Sequence, residues 1–186
     1  GFTCKRYLNP VAGQGPVLLA TRIEESALPT VLGYGHGDVI RGQEALWTKG
    51  AGPWVTKRDG DRLYGRGTAD NKAQHTLNMA ALRCVLEERG RLGFNAKYII
   101  ETAEETGSAG LHDVIAANKA DFAADVFIGS DGPRARADRA TIVLGNRGGT
   151  LFDLVVDLRK GGHHSGNWGG LLADPGIILA HALATI

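Results

Sequence analysis

One histidine and a recurring set of carboxylates stand out in this sequence for the chemistry they could perform together. His36 and Asp38 share the segment Tyr34-Gly35-His36-Gly37-Asp38, and Asp70 closes Gly65-Arg66-Gly67-Thr68-Ala69-Asp70. Glu104 and Glu105 are adjacent, and Asp131 lies in Ser130-Asp131-Gly132-Pro133. Gathered at one crevice with no cation, these groups would be unfavourable, because carboxylates repel one another and are costly to desolvate. A divalent metal removes both difficulties. Imidazole nitrogen with carboxylate oxygen and no thiolate suits Zn2+, with Mn2+ or Co2+ also compatible. Two such ions bridged by a carboxylate, roughly 3.5–4 Å apart, form a common hydrolytic pair.

Taken singly, each residue has a plain structural reading. His36 could be a turn histidine, Glu104-Glu105 acids favoured at a helix N-terminus, Asp70 the N-cap of a helix that begins at Asn71, and Asp131 a turn residue. What favours the chemical reading is where they fall. The apolar runs 17–21, 29–36, 94–101 and 126–128 read as strands, and His36, Glu104-Glu105 and Asp131 each end or follow one of them. In open α/β sheets, sites gather outside the carboxyl ends of the strands.

The helices that alternate with these strands complete the pattern. Residues 71–89 carry Leu77, Ala80, Ala81, Cys84 and Val85 at helical spacing, which predicts that face to be buried, and Gly90 follows as a C-cap. Residues 111–118 read as a second helix and 41–62 as a long loop. The expected fold is α/β, a mixed sheet flanked by helices. Further strands are expected at 141–144 and 150–158, a loop at 161–166 and a helix from Pro175. We place a boundary near 145–149, with a catalytic part at 1–147 and the start of a second α+β domain at 148–186.

Composition narrows the function. The 186 residues carry 21 Lys+Arg against 20 Asp+Glu, a net charge of +1 that does not suit a nucleic-acid binder. No apolar run approaches the ~20 residues of a membrane span. Cys4 and Cys84 form no CxxC, so neither a disulfide framework nor a thiolate zinc knuckle is indicated. No signal peptide is visible, and a cytoplasmic location is expected.

Together the segments His36-Gly37-Asp38, Gly65 to Lys72, Glu101 to Ser108 and Ser130-Asp131-Gly132-Pro133 resemble, in order and spacing, the M20 family of metallopeptidases. His164-Ser165-Gly166-Asn167-Trp168-Gly169-Gly170 is similar to the HSG-x-x-GG segment of its carnosinase-like dipeptidases. The resemblance implies roles. His36, Asp70 and Asp131 would hold one Zn2+ and Asp70 and Glu105 a second, with Asp70 bridging. A water between the two ions would be the nucleophile and Glu104 the general base. Asp38 would fix the His36 ring, and the Asp70–Asn71 peptide would be cis. His164 would belong to a lid and dimerisation domain, reaching the partner's active site in a homodimer to bind the developing oxyanion. The implied activity is hydrolysis of a small peptide, dipeptidase or carboxypeptidase in type. N-acyl amino acid deacylation and a non-catalytic metal-binding or dimerising module are the alternatives. The family's second metal-binding His and its substrate-carboxylate Arg have no counterpart here and are expected beyond Ile186.

Overall fold

The computed structural model describes residues 1–186 except 133, 137 and 146. Pro133 of the Ser-Asp-Gly-Pro motif and Asn146 of the expected boundary therefore lie outside the described residues. The chain forms two compact units, Gly1–Arg134 and Ala135–Ile186.

The first unit is built on a five-stranded sheet. Its strands are β1 (Thr3–Tyr7), β2 (Val17–Arg22), β3 (Thr30–His36), β6 (Asn95–Glu101) and β7 (Val126–Gly129). A separate hairpin, β4 (Lys57–Asp59) and β5 (Arg62–Tyr64), lies between β3 and the first helix. The sheet order is β1-β2-β6-β3-β7. The pairs β1/β2 and β2/β6 are antiparallel, whereas β6, β3 and β7 run parallel. The sheet is thus mixed, as expected. Its parallel part places the ends of three neighbouring strands at one edge, with His36 opposite Glu101 in register.

Helices cover both faces. On one, Tyr7, Val17, Leu19, Leu32 and Ile99 pack with Val114 of α2 (Leu111–Ala117) and Phe122 of α3 (Lys119–Phe122). On the other lies α1 (Lys72–Arg89). Gly35 explains how closely α1 approaches: a Cβ there would stand 2.8 Å from Asn71 Oδ1 and 3.0 Å from His75 Nδ1.

Several local expectations need correction. The expected apolar face of α1 is inward only in part: Ala80 and Val85 are half-buried, but Leu77 is 61% exposed and Cys84 is exposed. His75 is buried instead, and Asn78 donates to Tyr98 Oη and Ser130 Oγ. Polar groups at the end of the sheet select polar helix residues there, overriding hydropathy. The 41–62 loop contains a 3-10 turn, Glu44–Leu46, and β4. β1 has only Tyr7 buried, so it has little hydrophobic signature.

The second unit contains α4 (Ser165–Trp168) and α5 (Pro175–Leu183). The strands expected at 141–144 and 150–158 do not form among the described residues. Asp174 caps α5 by accepting from the Gly176 and Ile177 amides at 2.7 and 3.1 Å, with Pro175 in the first turn. Among the described residues, no helix is long and apolar enough to cross a membrane.

Candidate metal centre

The parallel strand ends assemble the site. β3 delivers His36 and, two residues on, Asp38. β6 runs into a 3-10 turn, Glu104–Thr106, that carries both glutamates. β7 ends one residue before Ser130, ahead of Asp131. The segment after β5 supplies Asp70, whose peptide bond to Asn71 is cis, in agreement with expectation.

His36 is fully buried and lies at the centre. Its Nδ1 is 3.1 Å from the Asp38 carbonyl oxygen and 3.3 Å from Asp38 Oδ1. Its Nε2 faces Asp70 Oδ1 at 2.9 Å and Glu104 Oε2 and Asp131 Oδ2 at 3.8 Å each. Two overlapping donor groups result, His36-Asp70-Glu105 and His36-Glu104-Asp131, each with ligand atoms within 4.8 Å of one another. Both draw on the single His36 imidazole.

Electrostatics follow from this crowding. Burial opposes protonation of His36, but the Asp70 hydrogen bond and the charges of Asp131 and Glu104 outweigh it and raise its pKa. The Glu104 carboxyl is also raised: burial disfavours its charge, and Asp131, Glu105 and Asp38 add repulsion that His36 only partly offsets. The donor set fits a divalent cation, which would remove this repulsion. In the tautomer whose Nδ1–H donates to the Asp38 carbonyl, Nε2 is the ring nitrogen that would bond a cation once it carries no proton toward Asp70.

Asp38 does more than face the imidazole. Its carboxylate accepts from the Glu104 amide at 3.3 Å and the Glu105 amide at 3.0 Å. One side chain thus caps the turn that presents both glutamates and lies against the histidine ring.

The sequence reading missed other residues of this region. Asn71, read as the first residue of the helix, occupies the N-cap position of α1, so Asp70 is not the cap, and the Asn71 side chain makes no capping bond. It is fully buried and bonded to strand-end groups instead. Glu101 is 1% exposed, and its Oε1 accepts from Tyr34 Oη at 2.6 Å and Ser108 Oγ at 2.8 Å. Burial, then the Glu101 bond, raises the Tyr34 pKa. Only the strand-end position of Glu101 hinted at this. His164 lies in the second unit, where its Nδ1 accepts from the Gly166 amide at 3.1 Å and caps α4. His163 packs against Trp168, with ring centroids 5.8 Å apart.

Residues 32–164 match Peptidase family M20/M25/M40. The chain belongs to this peptidase family. Its M20 relatives include a cysteinylglycine-S-conjugate dipeptidase of Corynebacterium striatum, 36% identical over 180 residues, covering 96% of this chain and 38% of the relative. A beta-Ala-His dipeptidase of Rattus norvegicus is 31% identical, covering 86% and 33%. Among solved structures, an M20 family metallo-carboxypeptidase from Sulfolobus solfataricus superposes with a TM-score of 0.62 at 30% identity, covering 70% of this chain and 28% of that one. The chain spans little more than a third of the length of the curated relatives it matches.

Proposed function

We propose that this chain carries the metal-binding part of a zinc-dependent dipeptidase that uses two Zn2+ ions. The observation that carries the reading is the convergence of three carboxylates on His36 Nε2. Family membership and the names of the relatives support hydrolysis of a small peptide. His36, Asp70 and Asp131 would hold one ion, and Asp70 and Glu105 the second.

Bound zinc supplies Lewis acidity at the scissile carbonyl and lowers the pKa of a neighbouring water. Glu104 accepts the proton of the attacking water and passes it to the leaving amine, a role suited to a carboxyl raised above the usual range. Asp38 holds the Glu104 turn and the His36 ring in mutual register, so base and ligand are placed together. Residues 148–186 begin a lid and dimerisation domain, and His164 stabilises the oxyanion across a homodimer. The free thiols of Cys4 and Cys84 fit a reducing, cytoplasmic location.

Titration of this chain with Zn2+ by calorimetry, and dipeptide hydrolysis by the whole protein, test the reading. One tight equivalent is expected, with any second much weaker, because His36 serves the first ion and the Asp70–Glu105 pair proposed for the second has no imidazole of its own. No zinc uptake, or no metal-dependent dipeptide cleavage, would overturn it.

A further inference from the structure

We propose that Asn71 is the positioning residue that sets the spacing of the metal donors, an inference that rests on the metal-centre reading above. Its side chain has no exposed surface. Oδ1 accepts the His36 backbone N–H at 3.0 Å. Nδ2 donates to the Ser130 carbonyl at 2.9 Å and to Asp131 Oδ1 at 3.0 Å. One carboxamide therefore ties the end of β3 to the segment after β7, from a position directly following Asp70. Three of the four proposed ligands are held through it.

The chemistry of the group accounts for its identity. The site offers one N–H donor and two oxygen acceptors, which a primary amide matches with one oxygen and two N–H groups. The reversed amide would set N–H against N–H and oxygen against two oxygens. A carboxylate could accept from His36 but would face the Ser130 carbonyl and the Asp131 carboxylate without a donor. The bond to Asp131 also has a directional consequence. It occupies Oδ1 and leaves Oδ2 as the oxygen facing His36 Nε2, at 3.8 Å. Asn71 thus selects which Asp131 oxygen is offered to a cation.

A second buried asparagine provides the control. Asn95 is 3% exposed and bonds the Glu24 and Glu25 amides and the Glu25 and Leu28 carbonyls, none of them in the metal centre. Asn71→Leu keeps the volume and removes all three bonds, Asn71→Asp keeps the acceptor and removes the donors, and Asn95→Leu disrupts an equally buried network elsewhere. Each variant of this chain is titrated with Zn2+ by calorimetry, its Co2+ absorption spectrum recorded, and its folding followed by circular dichroism and thermal melting. Asn71→Leu is expected to weaken zinc binding about 10–100-fold, the usual effect of losing a residue that orients metal ligands, and to alter the Co2+ spectrum. Asn71→Asp, the variant that decides the matter should the leucine chain not fold, should weaken binding by a smaller factor. Asn95→Leu should melt earlier yet bind zinc as the wild type does.

Wild-type zinc affinity and an unchanged Co2+ spectrum in a folded Asn71 variant would overturn the inference and leave the metal centre standing. Equal weakening by Asn95→Leu would overturn it too, since loss of stability alone would then explain the effect. Failure of the wild-type chain to bind zinc would overturn the metal-centre reading and the inference with it.

Discussion

Two arms hold the candidate centre, and they use different chemistry to do so. On the β6 side, the Asp38 carboxylate accepts from the amides of Glu104 and Glu105, while the Asp38 backbone carbonyl oxygen lies 3.1 Å from His36 Nδ1. A carboxylate, which only accepts, satisfies both amides, and its charge strengthens those bonds. On the β7 side, Asn71 faces one donor and two acceptors, one of them the Asp131 carboxylate. There a second negative charge would repel, and a neutral amide both gives and receives. In each arm the side chain matches the hydrogen-bonding groups that it meets, a carboxylate against backbone donors and an amide against one donor and two acceptors.

The largest expected effect separates the base from the ligands. Glu104→Gln in the whole protein should lower kcat about 10²–10⁴-fold, the range for loss of a general base, while zinc content stays that of the wild type. Near-normal turnover would remove Glu104 from that role.

His36→Ala comes next, because His36 belongs to both donor groups and both arms converge on it. Calorimetry of this chain should find no tight zinc equivalent. Retention of one would mean that the carboxylates alone form the site.

Exchanging the two chemistries sharpens the comparison further. Asp38→Asn should turn an amide N–H toward the Glu104 and Glu105 amides or leave one of them unpaired. A fall in kcat of about 10–100-fold is expected, with zinc affinity less affected than by Asn71→Leu. The same loss of zinc affinity in both variants would show that the arms are not separable.

Smaller effects concern the frame behind the arms. Tyr34→Phe removes one of two donors from the buried Glu101 oxygen, leaving Ser108, and should destabilise the chain by about 0.5–1.5 kcal/mol in urea unfolding, the usual net contribution of one hydrogen bond. The smallest lies far from the centre. Glu24 accepts from the Leu92 and Gly93 amides, which lower its pKa, with Arg22 adding to the effect. A lowered folded pKa means stability that is fully present above the ordinary glutamate value of about 4.5 and lost as pH falls through the folded value. Glu24→Gln should therefore be less stable than wild type at pH 7, with the gap narrowing as the pH falls below about 4.5. A gap that does not change with pH would contradict this.

By itself the sequence made the parallel strands, the order of the acidic motifs and the family legible. Apolar runs such as Tyr98-Ile99-Ile100 mark strands through local hydrophobicity, and motifs at their ends need no knowledge of partners. It also named Asp38 beside His36, two residues apart on one segment. Only the tertiary structure decided what Asp38 does with its carboxylate, because the Glu104 and Glu105 amides arrive from 66 and 67 residues away. The same holds for Asn71, whose bonds reach 35 and 60 residues along the chain. In sequence it is one more polar residue at the start of a helix. The buried face of α1 was misjudged for a related reason: hydropathy assumes that what is buried is apolar. The surface that α1 meets carries Tyr98 Oη and Ser130 Oγ, so burial there demands Asn78. Local patterns mark the buried strands of the parallel part, and hydrogen-bond balance between distant segments accounts for the polar side chains enclosed where they meet.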